Sequence, residues 1–349
     1  ITVAEELKGH MGKALLVSGT NDFYIQATVN AINEMLGSYG NTIDFAHPYT
    51  LFQAKEQEFT QLIDHMEKGD VGALICYDIN PVYDYAESER LFNAIKNVGL
   101  SISFAQTMDE TARVCEYVLP DNHYLESWND AEVRLGHYSL TQPTIPKIFN
   151  TRQAQESLLT WAGNDTHYHD FMKQYWEVNI FPMQANMSSF RQFWNQSLHD
   201  GVLIVDTGSS EQPEYAGLNL GEAKIEKTEG WELVLYEKMS LGSGKHANNP
   251  WLQEMPDPIT SATWDNYVCI APSDAEELGL EIEDVVKLEG DIELPVIVQP
   301  GQAKKTIGIS LGYGRTSAGK VADGIGKNVF HLQKIKDGYH QLAGLSLIH

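Results

Sequence analysis

The sequence predicts an α/β protein in which a parallel sheet with helices on both faces is followed by a small β-barrel. Between residues 10 and 150, short apolar runs alternate with helical stretches, and such alternation is typical of a parallel sheet. From Trp231 onward the chain consists of short β runs separated by Gly, Pro and Asp, which favours a barrel. The predicted parts are an α/β sheet domain over 1–165, a helical, aromatic-rich connector over 166–230 and a barrel over 231–349.

Composition excludes several functional classes. The 349 residues contain 48 Asp and Glu against 24 Lys and Arg, which gives a formal net charge of −24. That balance argues against nucleic-acid binding and against charge-driven docking on anionic lipid, whereas it suits a basic partner. No apolar run approaches the ~20 residues of a membrane span. Because the chain starts at Ile1 and not at Met, we expect a piece of a longer or processed polypeptide.

The first half of the chain supplies the predicted sheet. An apolar run over 14–17 is the first strand-sized segment, and a helix with apolar residues at positions 25, 29, 32 and 36 follows. A helical stripe over 59–66 precedes a strand over 73–77. A helix over 91–98 and strands over 101–104 and 117–119 complete the pattern. Since ligands bind at the carboxyl ends of parallel strands, the loops over 19–22 and 80–83 are the predicted ligand loops.

The second half is less uniform. Aromatic residues at helical spacing over 151–200 predict a packed core in preference to a cofactor pocket. Barrel strands are predicted over 231–237, 267–271, 284–288, 293–299 and 306–311. One helix over 273–278 separates two of them, with Ser273 as N-cap and Gly279 as its stop.

The cysteines argue against a metal cluster held by this chain alone. Cys76, Cys115 and Cys269 are far apart in the sequence, and no Cys-x-x-Cys motif is present. Each lies in an apolar segment, so we interpret all three as small core residues.

Several short motifs resemble those of the molybdopterin oxidoreductases and follow the same order along the chain as in that family. They occur at 31–40, 80–83 (NPVY), 109–112 (DETA), 118–120, 123–128 (HYLESW), 142–146 (QPTIP), 247–254 (ANNPWLQE), 270–279, 295–301 and 311–316 (LGYGRT). The resemblance covers roughly residues 10–165 and 230–332. It implies a Rossmann-like parallel sheet domain followed by a molybdopterin-dinucleotide-binding-type, double-psi β-barrel.

Two further stretches, 128–136 and 312–319, resemble the molybdopterin oxidoreductase-like half of the large iron–sulfur subunit of alternative complex III. That complex is a bacterial respiratory quinol:cytochrome c oxidoreductase. The resemblance implies a cofactor-free part of an electron-transport complex, with no catalytic residue and no metal ligand in this chain. Iron–sulfur clusters are then expected in a downstream ferredoxin-like part of the same subunit.

The same resemblance implies partners and a location. The partners are a multi-haem cytochrome c subunit, the ferredoxin-like iron–sulfur domain and quinol-oxidising integral membrane subunits. The chain is expected on the periplasmic side of the bacterial inner membrane, where its partners hold it at the membrane. Two alternatives stay open: a segment of an active molybdopterin enzyme of the polysulfide- or thiosulfate-reductase type, and a free-standing binding module.

Seven residues are candidates for a vestigial pterin site: Asn80, Pro81, His246, Asn248, Gly312, Gly314 and Arg315. Pro81 fixes a turn, and Asn80 offers a donor and an acceptor to a nucleotide edge or, alternatively, to its own loop. Arg315 suits a phosphate, but it equally suits a carboxylate of this acidic chain. His246 and Asn248 follow two glycines, and loops of that kind also occur without a ligand.

Two other groups have weaker claims. Backbone N–H groups of residues 19–22 could face an anion at a helix N-terminus, although the Asp22 carboxylate already occupies that positive end. His123 and Glu126 are three residues apart and could serve as an acid–base or metal pair, but no third ligand accompanies them.

Overall fold

The computed structural model describes residues 2–19, 22–51, 55–206, 215–217, 230–288, 292–336, 339–341 and 344–345. These residues belong to two compact units, one formed by Ile1–Ala54 with Asn122–Ile225 and the other by Lys55–Asp121 with Glu226–His349. The predicted parts follow one another along the chain, whereas the two units interleave. The reason is that the segment 55–121 packs with the C-terminal segment, for example through the pair of Glu110 and Arg315.

The described helices and strands follow in chain order. The α-helices are α1 (Thr2–Gly9), α2 (Phe23–Met35), α3 (Glu56–Lys68), α4 (Pro81–Asp84), α5 (Ser88–Ile95), α6 (Ala154–Trp161), α7 (Tyr168–Tyr175), α8 (Phe190–Asp200), α9 (Pro250–Glu254) and α10 (Pro272–Leu278). The strands are β1 (Ala73–Cys76), β2 (Leu100–Ser103), β3 (Tyr117–Val118), β4 (Asn129–Arg134), β5 (His137–Thr141), β6 (Val202–Ile204), β7 (Trp231–Tyr236), β8 (Val268–Ile270), β9 (Val285–Leu288), β10 (Ile292–Val298), β11 (Thr306–Ser310), β12 (Lys334–Lys336), β13 (Tyr339–Gln341) and β14 (Gly344–Leu345).

The second unit contains the predicted parallel sheet. Strands β1, β2 and β3 lie side by side in that order, and both pairs are parallel. Helices α3 and α5 pack together through an apolar cluster that includes Ile63, Met66, Leu91 and Ile95. Helix α3 ends at Gly69, whose φ of 76° places it in the left-handed region that favours glycine.

A six-stranded mixed sheet forms the rest of the second unit, in the order β14-β7-β11-β8-β10-β9. The pairs β11–β7 and β10–β8 are parallel, and the other three pairs are antiparallel. Its core includes Leu233, Val268, Ile270 and Ile307, which are fully buried. The predicted strands from 231 to 311 are all present, with ends shifted by at most one residue.

One boundary in this unit differs from the prediction. Helix α10 begins at Pro272, and Ala271 takes the N-cap position that the sequence assigned to Ser273. Proline at the first helical position explains the difference, because its φ is already helical. The N–H that proline lacks would have no partner within the helix at that position. Gly279 ends the helix in the left-handed region, as predicted.

The first unit combines helices with a small antiparallel sheet. Strands β4, β5 and β6 pair in that order, and the hairpin of β4 and β5 was absent from the sequence prediction. Helices α7 and α8 contribute to an aromatic core that contains Trp176, Phe193 and Trp194, as the helical spacing predicted. Trp161 and Tyr175, by contrast, are half exposed.

The apolar run at 14–17 does not form the predicted strand. The Asn33 side chain accepts from the Leu16 N–H at 2.9 Å and donates to the Leu16 carbonyl at 2.8 Å. The Ala14 carbonyl accepts from the Ser38 and Thr42 hydroxyls. Side chains thus satisfy the backbone groups that a neighbouring strand would otherwise bond.

Among the described residues, no helix combines the length and the apolar character needed to cross a bilayer.

Candidate functional site

Asn80 lies in the loop that follows β1, where the sequence predicted a ligand contact. Its side-chain amide donates to Glu110 Oε2 at 2.8 Å. Its Oδ1 accepts from the Thr111 N–H at 3.0 Å and from the Thr111 hydroxyl at 2.8 Å. Pro81 is the first residue of α4 and is buried. Asn80 therefore joins two loops of its own chain, which is the structural alternative considered for it.

Arg315 is buried, with 5 % of its surface exposed, and it pairs with Glu110. Its Nη2 donates to Glu110 Oε2 at 2.8 Å, and its Nε lies 3.1 and 3.2 Å from the two carboxylate oxygens. Its Nη1 donates to the Gly244 carbonyl at 2.6 Å. The guanidinium also stacks over the ring of Tyr83 at 4.5 Å. Its donor edge is thus directed at groups of this chain.

Glu110 receives more hydrogen bonds than Arg315 alone supplies. Its Oε1 accepts from the backbone N–H groups of Thr316 at 2.8 Å and Ser317 at 3.0 Å. Burial by itself would raise the pKa of Glu110, but the hydrogen bonds from Arg315, Asn80 and Thr316 outweigh it and lower the pKa to about 2. Glu110 is therefore a permanent anion at neutral pH.

Further carboxyl groups add negative charge around the same guanidinium. Burial raises the pKa of Asp84 to about 6, and burial together with the charge of Glu110 also raises the pKa of Asp109. Arg315 acts electrostatically on both groups. Arg315 thus pairs with one carboxylate and lies within electrostatic range of two more, and this balance opposes a phosphate at the same place.

The glycines of the predicted site pack against their own chain. Gly312 and Gly314 have φ values of 97° and 69°, which residues other than glycine rarely adopt. A Cβ on Gly314 would lie 1.9 Å from the Asn328 backbone nitrogen, and one on Gly312 would lie 2.9 Å from the Gly242 carbonyl. Absence of a side chain at these positions permits close backbone contact, so these glycines do not form an open cradle.

His246 and Asn248 lie on an exposed loop of the same unit. The Asn248 Oδ1 accepts from the Val321 N–H at 3.1 Å, and a Cβ on Gly319 would lie 2.5 Å from the Asn248 side chain. Asn248 therefore holds the segment that follows Arg315. The His246 carbonyl accepts from the Asn249 N–H at 3.0 Å, which is a local turn contact.

The two weaker candidates also have structural roles. Asp22 caps α2 by accepting from the Ile25 N–H at 2.9 Å, whereas Thr20 and Asn21 lie outside the described residues. His123 and Glu126 cap the 3₁₀ turn Tyr124–Glu126: the Glu126 carboxylate accepts from the His123 N–H, and the His123 ring accepts from the Leu125 N–H. Over the described part of the chain, no group of three His, Cys, Asp or Glu side chains is arranged to hold a metal ion.

Three residues of this network were missed by sequence reasoning. Glu110 is part of the motif at 109–112, but nothing marked it as the partner of Arg315. The Tyr83 hydroxyl donates to the Tyr313 carbonyl at 2.8 Å. Lys238 is buried, donates to the Tyr313 hydroxyl at 3.0 Å, and lies over the rings of Tyr267 and Tyr313. Burial lowers the pKa of Lys238. A charged residue that is buried needs a partner, so burial would have drawn attention to Lys238 and Glu110. The sequence does not show which charged residues are buried.

The phosphate-binding groups of the predicted site are engaged by other groups of the same chain. Recognition of the phosphates of a pterin dinucleotide would need a guanidinium with free donors and glycine backbone open to the ligand. Here the donors of Arg315 are directed at Glu110 and Gly244, and the glycines contact other backbone. The candidates that the structure brings together are Asn80 and Arg315, and they meet on Glu110.

The fold places the chain in a known structural class. The structure is similar to acetylene hydratase from Pelobacter acetylenicus with a TM-score of 0.59 and 16 % sequence identity, over 96 % of this chain and 50 % of that one. The likeness agrees with the molybdopterin-type fold that the motifs predicted. No family model matches the chain.

The amino-acid sequence is also similar to that of a particular protein. The chain is 25 % identical to the menaquinone reductase, molybdopterin-binding-like subunit of Nitratidesulfovibrio vulgaris (strain Hildenborough), over 74 % of this chain and 38 % of that protein. The chain thus spans about two fifths of the length of this curated relative and half of the length of the acetylene hydratase.

Proposed function

We propose that this chain is a non-catalytic scaffold, without a pterin or metal of its own, in a membrane-associated respiratory complex that exchanges electrons with quinone. The observation that carries the proposal is the buried pair of Arg315 and Glu110. In the predicted site, the residue best suited to bind a ligand phosphate is neutralised by a carboxylate of the same chain.

Energetics favour this pair over a bound anion. Removing one partner of a buried pair costs about 3–5 kcal/mol, because the remaining charge is left uncompensated. A phosphate that took the place of Glu110 would leave that carboxylate, with its lowered pKa, buried and ionised beside a second anion. Asn80 donates to the same carboxylate and would also lose its partner. The network thus supports a role in holding the fold together.

The link to quinone rests on the relative, whose name is that of a menaquinone reductase subunit. Within quinone-coupled complexes we place the chain in the alternative complex III type, because the stretches 128–136 and 312–319 resemble its large iron–sulfur subunit. The mixed sheet, with two parallel pairs joined by an antiparallel one, supports the double-psi barrel as its finer architecture.

Partners and location belong to the same proposal. The proposed neighbours are a multi-haem cytochrome c subunit, a ferredoxin-like part carrying iron–sulfur clusters and quinol-oxidising integral membrane subunits. We place the chain on the periplasmic side of the inner membrane, bound through those subunits. The net charge of −24 supports a basic haem protein as one neighbour.

Metal and pterin analysis of the purified native complex tests the proposal. Haem and iron–sulfur content should scale with the complex, whereas molybdenum, tungsten and extractable pterin should be far below one per complex. Stoichiometric molybdenum or tungsten with a pterin would refute the cofactor-free scaffold. Spectroscopic detection of haem c and quinol-dependent cytochrome reduction separately tests the type of complex.

A second test separates a scaffold from a catalytic role. Arg315→Lys keeps a cation but loses the paired hydrogen bonds to Glu110, so it should lower the yield of assembled complex. Turnover per assembled complex should not change. The matched control is Lys245→Ala, which removes an exposed pair with Asp78 next to Gly244 and should leave both quantities unchanged. A fall in turnover per assembled Arg315→Lys complex would contradict the proposal.

A further inference from the structure

Helix α9 exposes apolar side chains and buries a polar one. Trp251 keeps 81 % of its surface exposed, the largest fraction among the large apolar side chains that the structure describes. Met255, the C-cap residue, lies one turn further on the same side and is 41 % exposed. Gln253, by contrast, is only 2 % exposed. A surface helix normally has the opposite arrangement, so the outward side of α9 is typical of an interaction surface.

Ile259 extends this surface. It lies in the turn directly after α9 and is 74 % exposed. The chain returns from this turn to the helix, since the N–H of Trp264 donates to the Gln253 carbonyl at 3.0 Å. Trp251, Met255 and Ile259 therefore lie on neighbouring parts of the second unit, and we call these three side chains the Trp251 patch.

The backbone that carries the patch is held in place by its own chain. The Asn249 side chain accepts from the Trp251 N–H at 3.0 Å and caps α9. The Asp257 carboxylate accepts from the Ile259 N–H at 3.0 Å and from the Thr260 N–H at 2.9 Å. A partner that contacts the patch would therefore order few additional residues, which favours association.

Carboxylates accompany the apolar side chains. Glu254 is exposed and lies three residues after Trp251, on the same side of α9. Burial would raise the pKa of Asp257, but the hydrogen bonds from its own turn outweigh it and lower the pKa, so Asp257 is an anion at neutral pH. Over residues 246–303 the sequence contains twelve Asp and Glu against a single Lys or Arg, which is Lys287.

This charge selects among the possible occupants of the patch. An anionic lipid surface would be repelled, and so would a second copy of this chain, whose net charge is also −24. A protein surface with several Lys and Arg side chains would be attracted. The guanidinium of an Arg can in addition stack on the exposed indole of Trp251, which an acidic or neutral polar side chain cannot do.

We propose that the Trp251 patch is the docking surface for a basic partner subunit. An Arg or Lys of the partner covers the Trp251 indole, and other basic side chains pair with Glu254 and Asp257. An aromatic centre with a charged rim is the usual composition of an energetically important contact. The inference rests on the proposed function, which places the chain in a complex beside a basic haem protein, and it assigns that contact to one surface.

Photo-crosslinking within the purified native complex identifies the occupant. Trp251→benzoylphenylalanine places the reactive group in the patch, and mass spectrometry then identifies the linked peptide. We expect a peptide of another subunit in which Lys and Arg outnumber Asp and Glu. A cross-link to an acidic peptide, to another part of the same polypeptide, to a second copy of this chain or to lipid would overturn the proposal. Absence of any cross-link would overturn it as well.

The identity of the linked subunit separates this inference from the proposed function. A basic peptide from a haem-containing subunit supports both. A basic peptide from a subunit without haem supports docking at the patch but contradicts the haem protein as the neighbour. Stoichiometric molybdenum with a pterin would refute the cofactor-free scaffold and leave the cross-link result unaffected.

Substitutions measure the contribution of the patch to binding of the subunit identified in this way. Trp251→Ala should weaken binding about tenfold or more, as removal of a central aromatic contact does. Because Trp251 is exposed in the free chain, its thermal midpoint should stay unchanged. Wild-type affinity in Trp251→Ala would overturn the proposal.

Charge reversal tests the electrostatic part with a matched control. Glu254→Lys should slow association and make it less sensitive to salt, because it replaces an attractive charge by a repulsive one. Glu89→Lys makes the same change in net charge at an exposed position of α5 and should leave the affinity within about twofold of wild type. Equal losses in the two variants would show that net charge, and not the patch, attracts the partner.

Discussion

Arg315 and Glu110 are 205 residues apart in sequence, and their side chains form one buried ion pair with an Nη2–Oε2 distance of 2.8 Å. The pair joins the loop after β2 to the loop after β11. Asn80 completes it from the loop after β1. Three loops that follow three strands of the second unit thus depend on one carboxylate.

Glu110→Gln should destabilise the protein by about 3 kcal/mol at neutral pH, because Arg315 stays buried without a counter-charge. Urea unfolding measures this difference. Asp78→Asn is the matched control, since it breaks an exposed pair with Lys245 at 2.6 Å and should cost less than about 1 kcal/mol. Equal losses in the two variants would show that burial of the Arg315 pair does not matter.

Acid should remove the stabilisation that Glu110 provides. The pKa of Glu110 falls from an ordinary 4.5 to about 2 in the folded state, so its contribution is fully present above pH 4.5. As pH falls from there towards about 2, the carboxylate becomes protonated and the contribution disappears. The stability gap between wild type and Glu110→Gln should therefore narrow over this range. A constant gap between about pH 6 and pH 3 would count against the lowered pKa.

Asp84 should have the opposite pH dependence. Burial raises its pKa from 3.8 to about 6, so its ionisation destabilises the folded protein as pH rises through that interval. Asp84→Asn should accordingly raise the free energy of unfolding by about 1–2 kcal/mol at pH 8 and change it little near pH 4. Chemical unfolding at the two pH values checks the sign, and a loss of stability at pH 8 would show that the Asp84 carboxylate makes favourable contacts.

Gly314→Ala should be much more damaging than Gly324→Ala. Both glycines have positive φ values, 69° and 78°, so each substitution costs about 1–2 kcal/mol in backbone strain. At Gly324 nothing lies within 4 Å of the added Cβ, whereas at Gly314 the Cβ would lie 1.9 Å from Asn328. The thermal midpoints of the two variants isolate the steric part. If the two thermal midpoints were equal, close packing at Gly314 would be unimportant for stability.

Much of the local structure follows from residue patterns that are visible in the sequence. The stripe over 59–66 and the stop at Gly69 predict α3, and the β runs from 231 to 311 predict the strands of the six-stranded sheet. These elements are set by side-chain periodicity and by glycines with positive φ, which act over a few residues. The run at 14–17 forms no strand, because the Asn33 side chain bonds the backbone N–H and carbonyl of Leu16. Asn33 lies 17 residues further along the chain, beyond the reach of a local pattern.

For the candidate site, too, the sequence determined one part of the answer and the tertiary structure determined the other. The sequence by itself marked Asn80, the glycines at 312 and 314, and Arg315 as unusual. It left open whether they serve a ligand or the chain. Only the tertiary structure decided that Arg315 pairs with Glu110, since any of 48 acidic residues could have been its partner. Periodicity reports on contacts within a few residues, whereas an ion pair across 205 residues depends on how the whole chain packs.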